Sequence, residues 1–289
     1  MKLTLGFSPC PNDTFIFDAL VNGLIDTGGF EFDLVMEDVQ TLNELAIAGK
    51  IDVTKISYGT LPLVLEHYGL LRSGGALGKG TGPLLIAKFP LPGPAVNQAR
   101  VAIPGKHTTA HVLFALNFPD AHNKVFMPYN AVEDFVLNSA ADLEDVRKVQ
   151  LGVIIHENRF TYERKGLVKI SDLGAHWEST TGLPIPLGGI VMRRSLGDTL
   201  AARLNTLIAE SARYAFARLP LLSDFIRDHA QEMEEEVMRS HIELYVNDFS
   251  LDIGVEGEEA VQEFLRIHSA INKIPLGDQP VFMVSKADA

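Results

Sequence analysis

The chain has 289 residues, 46% of them hydrophobic, and a formal net charge of −12 at pH 7. This length and apolar content allow a sizeable core, in one large domain or two modest ones. The negative charge argues against a nucleic-acid partner, because phosphate binding needs clustered lysine and arginine. The single cysteine, Cys10, excludes an internal disulfide and is typical of a reducing compartment.

The first third of the chain alternates between strand-like and helical segments. Apolar runs at 3–7, 30–37 and 53–57 precede helical patterns at 14–22, 39–49 and 61–68. This alternation predicts an α/β fold with a mainly parallel sheet that is flanked by helices. A further strand is predicted at 83–88.

A proline-rich break at 89–94 separates this region from a second α/β pattern. The second pattern closes at 181–190, and the chain beyond Asp198 is almost wholly helical. We therefore predict a two-lobed protein: a discontinuous larger lobe of residues 1–92 plus 194–289, and an inserted smaller lobe of residues 93–193. Two crossings imply a two-segment hinge with a cleft between the lobes.

Three strand-to-helix junctions carry short polar side chains, at 8–15, 52–60 and 100–109. Free backbone N–H groups at a helix start can hold oxygen-rich or anionic ligand groups. The chain contains no dinucleotide loop and no phosphate-binding loop. The junctions therefore predict a cleft for a small polar molecule.

The leading candidate for chemistry is His156, which follows the apolar run 151–155. The carboxyl end of a parallel strand is where α/β sheets display functional groups. An imidazole there can act as a general base, because it titrates near neutral pH. The alternative is a strand-end histidine that only hydrogen-bonds a backbone carbonyl.

Candidate binding residues lie at the other junctions. Lys55 stands in an otherwise apolar strand, where a lysine usually has a partner or a ligand. Ser57, Thr108 and Thr109 can hold substrate oxygens or can cap helices, and a cap needs only one of the two threonines. Asn12 and Asp13, which follow Cys10 and Pro11, are better explained as helix-capping residues than as ligand contacts.

A metal site is not expected. His107 and His111 are four residues apart on one helix face, but the glutamate of a zinc-protease motif does not lie between them. Cys10 is interpreted as a small packing residue, since no histidine is assigned to it by the sequence.

Six segments together resemble the 1,4-dihydroxy-6-naphthoate synthase family, late enzymes of the futalosine route to menaquinone. They are 8–17, 55–58, 71–78, 105–109, 155–162 and 245–252. The resemblance implies a fold similar to type 2 periplasmic binding proteins, and a lyase that converts cyclic dehypoxanthine futalosine to 1,4-dihydroxy-6-naphthoate. It also implies that no metal or nucleotide cofactor is used. The family's proton-accepting histidine falls on His156, and its substrate contacts fall on Lys55, Ile56, Ser57, Thr108 and Thr109.

Two alternatives remain at this stage. The fold alone permits a solute-binding protein without chemistry, but such a protein needs an export signal, and the N-terminus shows no apolar signal core. The sister chorismate dehydratase has a similar fold, but its motifs fit less well. No apolar run approaches the roughly 20 residues that span a bilayer, so we expect a cytoplasmic enzyme with a small-molecule substrate and no membrane partner. A homodimer is compatible with the sequence, which does not fix the oligomeric state.

Overall fold

The computed structural model describes residues 1–139, 145–231 and 234–284. Its contacts divide the chain into two compact units. Unit 1 consists of Met1–Gly78 and Pro186–Ala289, and unit 2 consists of Lys79–Ile185. No helix of the described residues is long and apolar enough to cross a membrane.

The strands of the described residues are β1 (Lys2–Phe7), β2 (Glu31–Met36), β3 (Val53–Ser57), β4 (Tyr68–Leu70), β5 (Ala76–Gly78), β6 (Leu84–Ala87), β7 (Arg100–Ile103), β8 (Lys124–Phe126), β9 (Gln150–Ile154), β10 (Val168–Asp172) and β11 (Ile185–Arg193). The α-helices are α1 (Pro11–Val21), α2 (Val39–Ile47), α3 (Leu61–Val64), α4 (Thr109–Asn117), α5 (Val132–Leu137), α6 (Asn158–Thr161), α7 (Leu173–Thr181), α8 (Asp198–Phe216), α9 (Asp224–His229), α10 (Glu235–Tyr245), α11 (Asp248–Leu251) and α12 (Gly254–Asn272).

Each unit contains one sheet. In unit 1 the strand order is β2-β1-β3-β11-β4, and β5 also pairs with β11. Strand β1 is parallel to β2 and to β3, whereas β11 is antiparallel to β3 and to β4. In unit 2 the order is β10-β6-β9-β7-β8. There β7, β8 and β9 are parallel, and β6 is antiparallel to β9 and β10.

The predicted α/β architecture is confirmed, but the sheets are mixed rather than mainly parallel. The difference comes from strands next to the crossings between units, such as β11, which runs back along β3. The prolines and glycines of residues 181–190 predict the return crossing between lobes, and the boundary at 185/186 falls inside this segment. The segment also enters strand β11, where the glycines allow close packing: a Cβ on Gly188 would lie 2.9 Å from the carbonyl oxygen of Ile56, and one on Gly189 would lie 2.9 Å from Tyr58 Oη.

The unit boundaries of the structure, at 78/79 and 185/186, come earlier in the chain than the predicted 92/93 and 193/194. Strand β6 belongs to the sheet of unit 2, where it pairs with β9 and β10. Strand β11 belongs to the sheet of unit 1. The proline-rich segment 89–94 is therefore a loop within unit 2 and not the crossing itself.

Helix α1 lies at the centre of the unit 1 core. Its residues 11–20 are all buried, and it packs against α8, α9 and α10. A helix that is buried all round needs its polar side chains to find partners inside the protein. Asn12 and Asp13 lie in the first turn of α1, so both side chains need hydrogen-bond partners inside the protein.

Candidate functional site

Polar residues of unit 1 gather where two parallel strands end. Strands β1 and β3 are neighbours, with Leu5 opposite Val53 and Gly6 opposite Thr54. The chain therefore leaves both strands at the same edge of the sheet. This edge is where ligands bind in open α/β sheets.

The centre of this group is a buried ion pair. Lys55 Nζ lies 3.0 Å from Asp13 Oδ1, and the two side chains are only 6% and 3% exposed. Lys55 Nζ also donates to the carbonyl oxygen of Gly74 at 2.8 Å. Asp13 Oδ2 accepts hydrogen bonds from the backbone N–H and the hydroxyl of Ser8, at 3.1 and 2.7 Å. The expectation that Lys55 has a partner is confirmed, and Asp13 is that partner.

The ion pair continues into a chain of hydrogen bonds. Asn12 Nδ2 donates to Asp13 Oδ1 at 2.9 Å, and Asn12 Oδ1 lies 2.9 Å from Nε2 of His241 on α10. The interpretation of Asn12 and Asp13 as capping residues is therefore wrong. The N-cap of α1 is Cys10, which makes no side-chain capping hydrogen bond. Because helix α1 is buried, these two side chains are used for contacts inside the core.

The other two unit 1 candidates follow Lys55 in β3. Ile56 is fully buried and its Cα pairs with that of Gly189, so its side chain is part of the core. Ser57 is buried at the end of the strand, and its backbone N–H donates to Oδ1 of Asn43 at 2.9 Å. Asn43 was not predicted to have a role, although it is a lone amide on the buried face of α2, where a polar side chain needs a partner.

Unit 2 repeats this arrangement. Strands β7, β8 and β9 are adjacent and parallel, with Val101 opposite both Lys124 and Leu151. The segments that follow them carry Thr108 and Thr109 after β7 and His156 after β9. All of these segments leave the sheet at one edge, so the topology brings the predicted threonines and histidine of unit 2 to the same side.

The two threonines have different places at the start of α4. Thr108 is the N-cap: its hydroxyl donates to the carbonyl oxygen of Gly105 at 3.0 Å and accepts from the N–H of His111 at 3.2 Å. The capping alternative is thus confirmed for Thr108. Gly105 has a φ of +101°, a conformation that favours glycine and shapes the turn before the cap. Thr109 is the first helical residue and is buried.

Removing the cap should cost stability. We expect Thr108→Ala to lower the free energy of unfolding by about 0.5–2 kcal/mol, because the N–H of His111 loses its side-chain acceptor. Urea denaturation measures this change. Thr108→Ser keeps the hydroxyl and should stay close to the unchanged protein, so equal losses in both variants would contradict a capping role.

His156 occupies an unusual backbone conformation. It lies just beyond β9, as predicted, and has a φ of +56°. Its ring contacts that of Tyr129 edge-to-face, with centroids 5.0 Å apart and an angle of 66° between the ring planes. The left-handed region is uncommon for residues other than glycine, and conformations of this kind cluster at functional sites. Tyr129 was not predicted as a site residue, because no pattern in the sequence around it indicates one.

His241 is a third residue that was not predicted from the sequence. It lies on the buried face of α10 together with Val237, Met238, Ile242 and Tyr245. The signal was present, because a single imidazole interrupts an apolar pattern of helical period. Such a residue needs a hydrogen-bond partner, and here the partner is Asn12.

The fold is that of the periplasmic binding proteins. The periplasmic aliphatic sulphonate binding protein SsuA from Escherichia coli superposes with a TM-score of 0.63, over 97% of this chain and 90% of that chain, at 10% sequence identity. An identity this low shows the fold alone.

Sequence comparison identifies the family to which the chain belongs. A family model described as menaquinone biosynthesis matches residues 3–270. The 1,4-dihydroxy-6-naphtoate synthase of Thermus thermophilus is 46% identical over 281 residues, covering 97% of this chain and 99% of that protein. The enzyme of the same name from Streptomyces coelicolor is 40% identical over 278 residues, covering 94% and 95%. The chain belongs to the menaquinone biosynthesis family and is an enzyme, which confirms the resemblance seen in the sequence.

Proposed function

We propose that this enzyme is a lyase that converts cyclic dehypoxanthine futalosine to 1,4-dihydroxy-6-naphthoate, with His156 as the general base. One observation carries the role of His156: a half-buried imidazole in a left-handed backbone conformation at the carboxyl end of β9. The names of the two relatives support the choice of reaction. In this proposal His156 removes a substrate proton, the sugar-derived ring fragments by elimination, and aromatisation drives the reaction.

In the same proposal Lys55 binds a substrate oxygen. An ammonium group has three N–H donors. Among the residues that the structure describes, two of these donors are used, by Asp13 and by the carbonyl of Gly74. The third can donate to a carboxylate or a sugar oxygen of the substrate. Because the group is buried, that hydrogen bond would be stronger than in water.

The remaining contacts come from both units. Thr109 and the first-turn N–H groups of α4 would hold a second oxygen-rich group. Since the hydroxyl of Thr108 donates to Gly105, Thr108 would contribute through its backbone N–H. Ile56 would contribute through its backbone, and Ser57 would complete the unit 1 contacts. We propose that both units contact one substrate in a cleft that closes and excludes water, as hinged binding proteins close around ligands.

Product formation tests the reaction. The purified enzyme should release 1,4-dihydroxy-6-naphthoate from cyclic dehypoxanthine futalosine, as followed by liquid chromatography and mass spectrometry. A parallel incubation with chorismate should leave it unchanged. Return of both compounds unchanged would overturn the proposal in favour of a binding protein, and dehydration of chorismate would overturn it in favour of the sister enzyme.

A further inference from the structure

The buried hydrogen-bonded chain of unit 1 begins at a histidine that lies outside the proposed substrate contacts. We propose that His241 is a positioning residue, which holds the Lys55 ammonium in place through Asn12 and Asp13. The inference rests on the proposed substrate-binding role of Lys55. It adds a residue from α10, far along the chain, to the determinants of substrate affinity.

The direction of each hydrogen bond can be worked out from the ion pair. Asp13 is a carboxylate beside a lysine ammonium, so its oxygens accept. The Asn12 group that faces Asp13 Oδ1 must therefore be the NH₂, and the opposite end of the amide is an oxygen. An oxygen there accepts, so His241 Nε2 carries the proton. A turned amide would place its oxygen against the carboxylate and its NH₂ against the N–H of His241.

Burial makes this arrangement costly unless every hydrogen bond is made. The exposed fractions are 0% for His241, 7% for Asn12, 2% for Asp13 and 5% for Lys55. Packing alone would favour an apolar side chain at position 241, since Met238 and Ile242 on the same helix belong to the core cluster of unit 1. A hydrogen bond in a low-dielectric interior is stronger than in water, so it holds the groups that make it in place. The role that we assign to His241 is to anchor the oxygen end of the Asn12 side chain, so that its NH₂ stays against Asp13.

Loss of the Nε2 proton of His241 should weaken substrate binding and leave the rate of the chemical step nearly unchanged. Without His241 Nε2–H, Asn12 Oδ1 loses its buried donor, and the Asn12 side chain is no longer anchored where its NH₂ donates to Asp13 Oδ1. Lys55 loses the fixed acceptor that directs its third N–H toward the substrate. In the proposed reaction His156 takes the substrate proton, and the role assigned to this chain of hydrogen bonds is to hold Lys55 for binding. We therefore expect a higher KM with a nearly unchanged kcat.

Paired variants test the proposal. His241→Phe keeps an aromatic ring without the N–H. It should raise KM roughly ten- to a hundredfold, the effect of losing the hydrogen bond from the charged Lys55 ammonium to the substrate. His241→Gln supplies an amide NH₂ near the position of Nε2 and should restore most of the affinity. The double variant His241→Phe with Asn12→Leu should have a KM no higher than that of the worse single variant. Both substitutions interrupt the same series of hydrogen bonds to Lys55, so the second one has nothing further to remove.

The control is another buried histidine of unit 1. His268 on α12 lies 2.9 Å from the carbonyl oxygen of Gly59 through Nε2 and is 4% exposed. His268→Phe should lower stability in urea without changing KM. Equal rises in KM for His241→Phe and His268→Phe would overturn the positioning role, as would a His241→Gln variant no better than His241→Phe.

A second measurement does not depend on turnover. In protein carrying ¹⁵N-lysine, the ammonium resonance of Lys55, assigned through Lys55→Met, should be sharp because the group is buried and hydrogen-bonded. It should broaden or vanish in His241→Phe and return in His241→Gln. An unchanged resonance in His241→Phe overturns the inference. If the resonance behaves as expected while the enzyme releases no product, only the proposed reaction fails.

Discussion

Replacing His156 with asparagine should lower turnover of cyclic dehypoxanthine futalosine by roughly 10²–10⁴-fold, the usual contribution of a general base. This loss corresponds to about 2.7–5.4 kcal/mol of transition-state stabilisation. Asparagine is the informative substitution because it tolerates a positive φ and provides no base of suitable pKa. The fold should therefore persist, as followed by circular dichroism and by the urea midpoint, while steady-state kinetics report the loss.

The backbone conformation of His156 adds a second expectation to the same experiment. Alanine at φ +56° costs about 1–2 kcal/mol because of its Cβ, so His156→Ala should be less stable than His156→Asn, although both should lose turnover to a similar extent. His176→Asn is the matched control, since His176 is a half-buried histidine on α7 of the same unit. It should keep full activity. Near-normal product release by His156→Asn would remove His156 from the mechanism.

The position of His156 was predictable from the sequence for a simple physical reason. A buried parallel strand is a continuous apolar run, and the first polar residue after it leaves the sheet at its functional edge. Lys55 was predictable for a different reason: it lies inside the otherwise apolar strand β3, where a lysine needs a partner. In both places local residue type was enough, because burial and strand direction are encoded within a few positions.

Residues that depend on distant contacts could not be predicted in this way. Asn12 and His241 are 229 positions apart, and the pattern around Asn12 was equally consistent with a helix cap.

Strand β11 was missed because its prolines and glycines mimic a loop, whereas its glycines allow close approach to Ile56 and Tyr58. The predicted helix at 61–68 ended early, at Val64, because Tyr68 pairs with β11. Tertiary pairing overrode local preference in each case.

The buried ion pair gives the largest expected effect on stability. Lys55→Met should lower the free energy of unfolding by about 3–5 kcal/mol, because it leaves the Asp13 carboxylate buried without its counter-charge. Both partners are almost fully buried, so solvent screens the pair little. The double variant Lys55→Met with Asp13→Asn removes the uncompensated charge and should recover part of that loss. Urea denaturation of the single and double variants measures the coupling between the two residues.

An exposed pair of the same unit provides the comparison. Lys2 Nζ lies 2.7 Å from Asp33 Oδ1, but the two side chains are 60% and 55% exposed. Lys2→Met should leave the urea midpoint unchanged within error, because exposed pairs contribute little. A Lys55→Met variant as stable as Lys2→Met would contradict a stabilising role of the buried pair, as would losses of Lys55→Met and Asp13→Asn that simply add. Coupling in stability, together with a raised KM for Lys55→Met, would tie the buried charge of unit 1 to both folding and substrate binding.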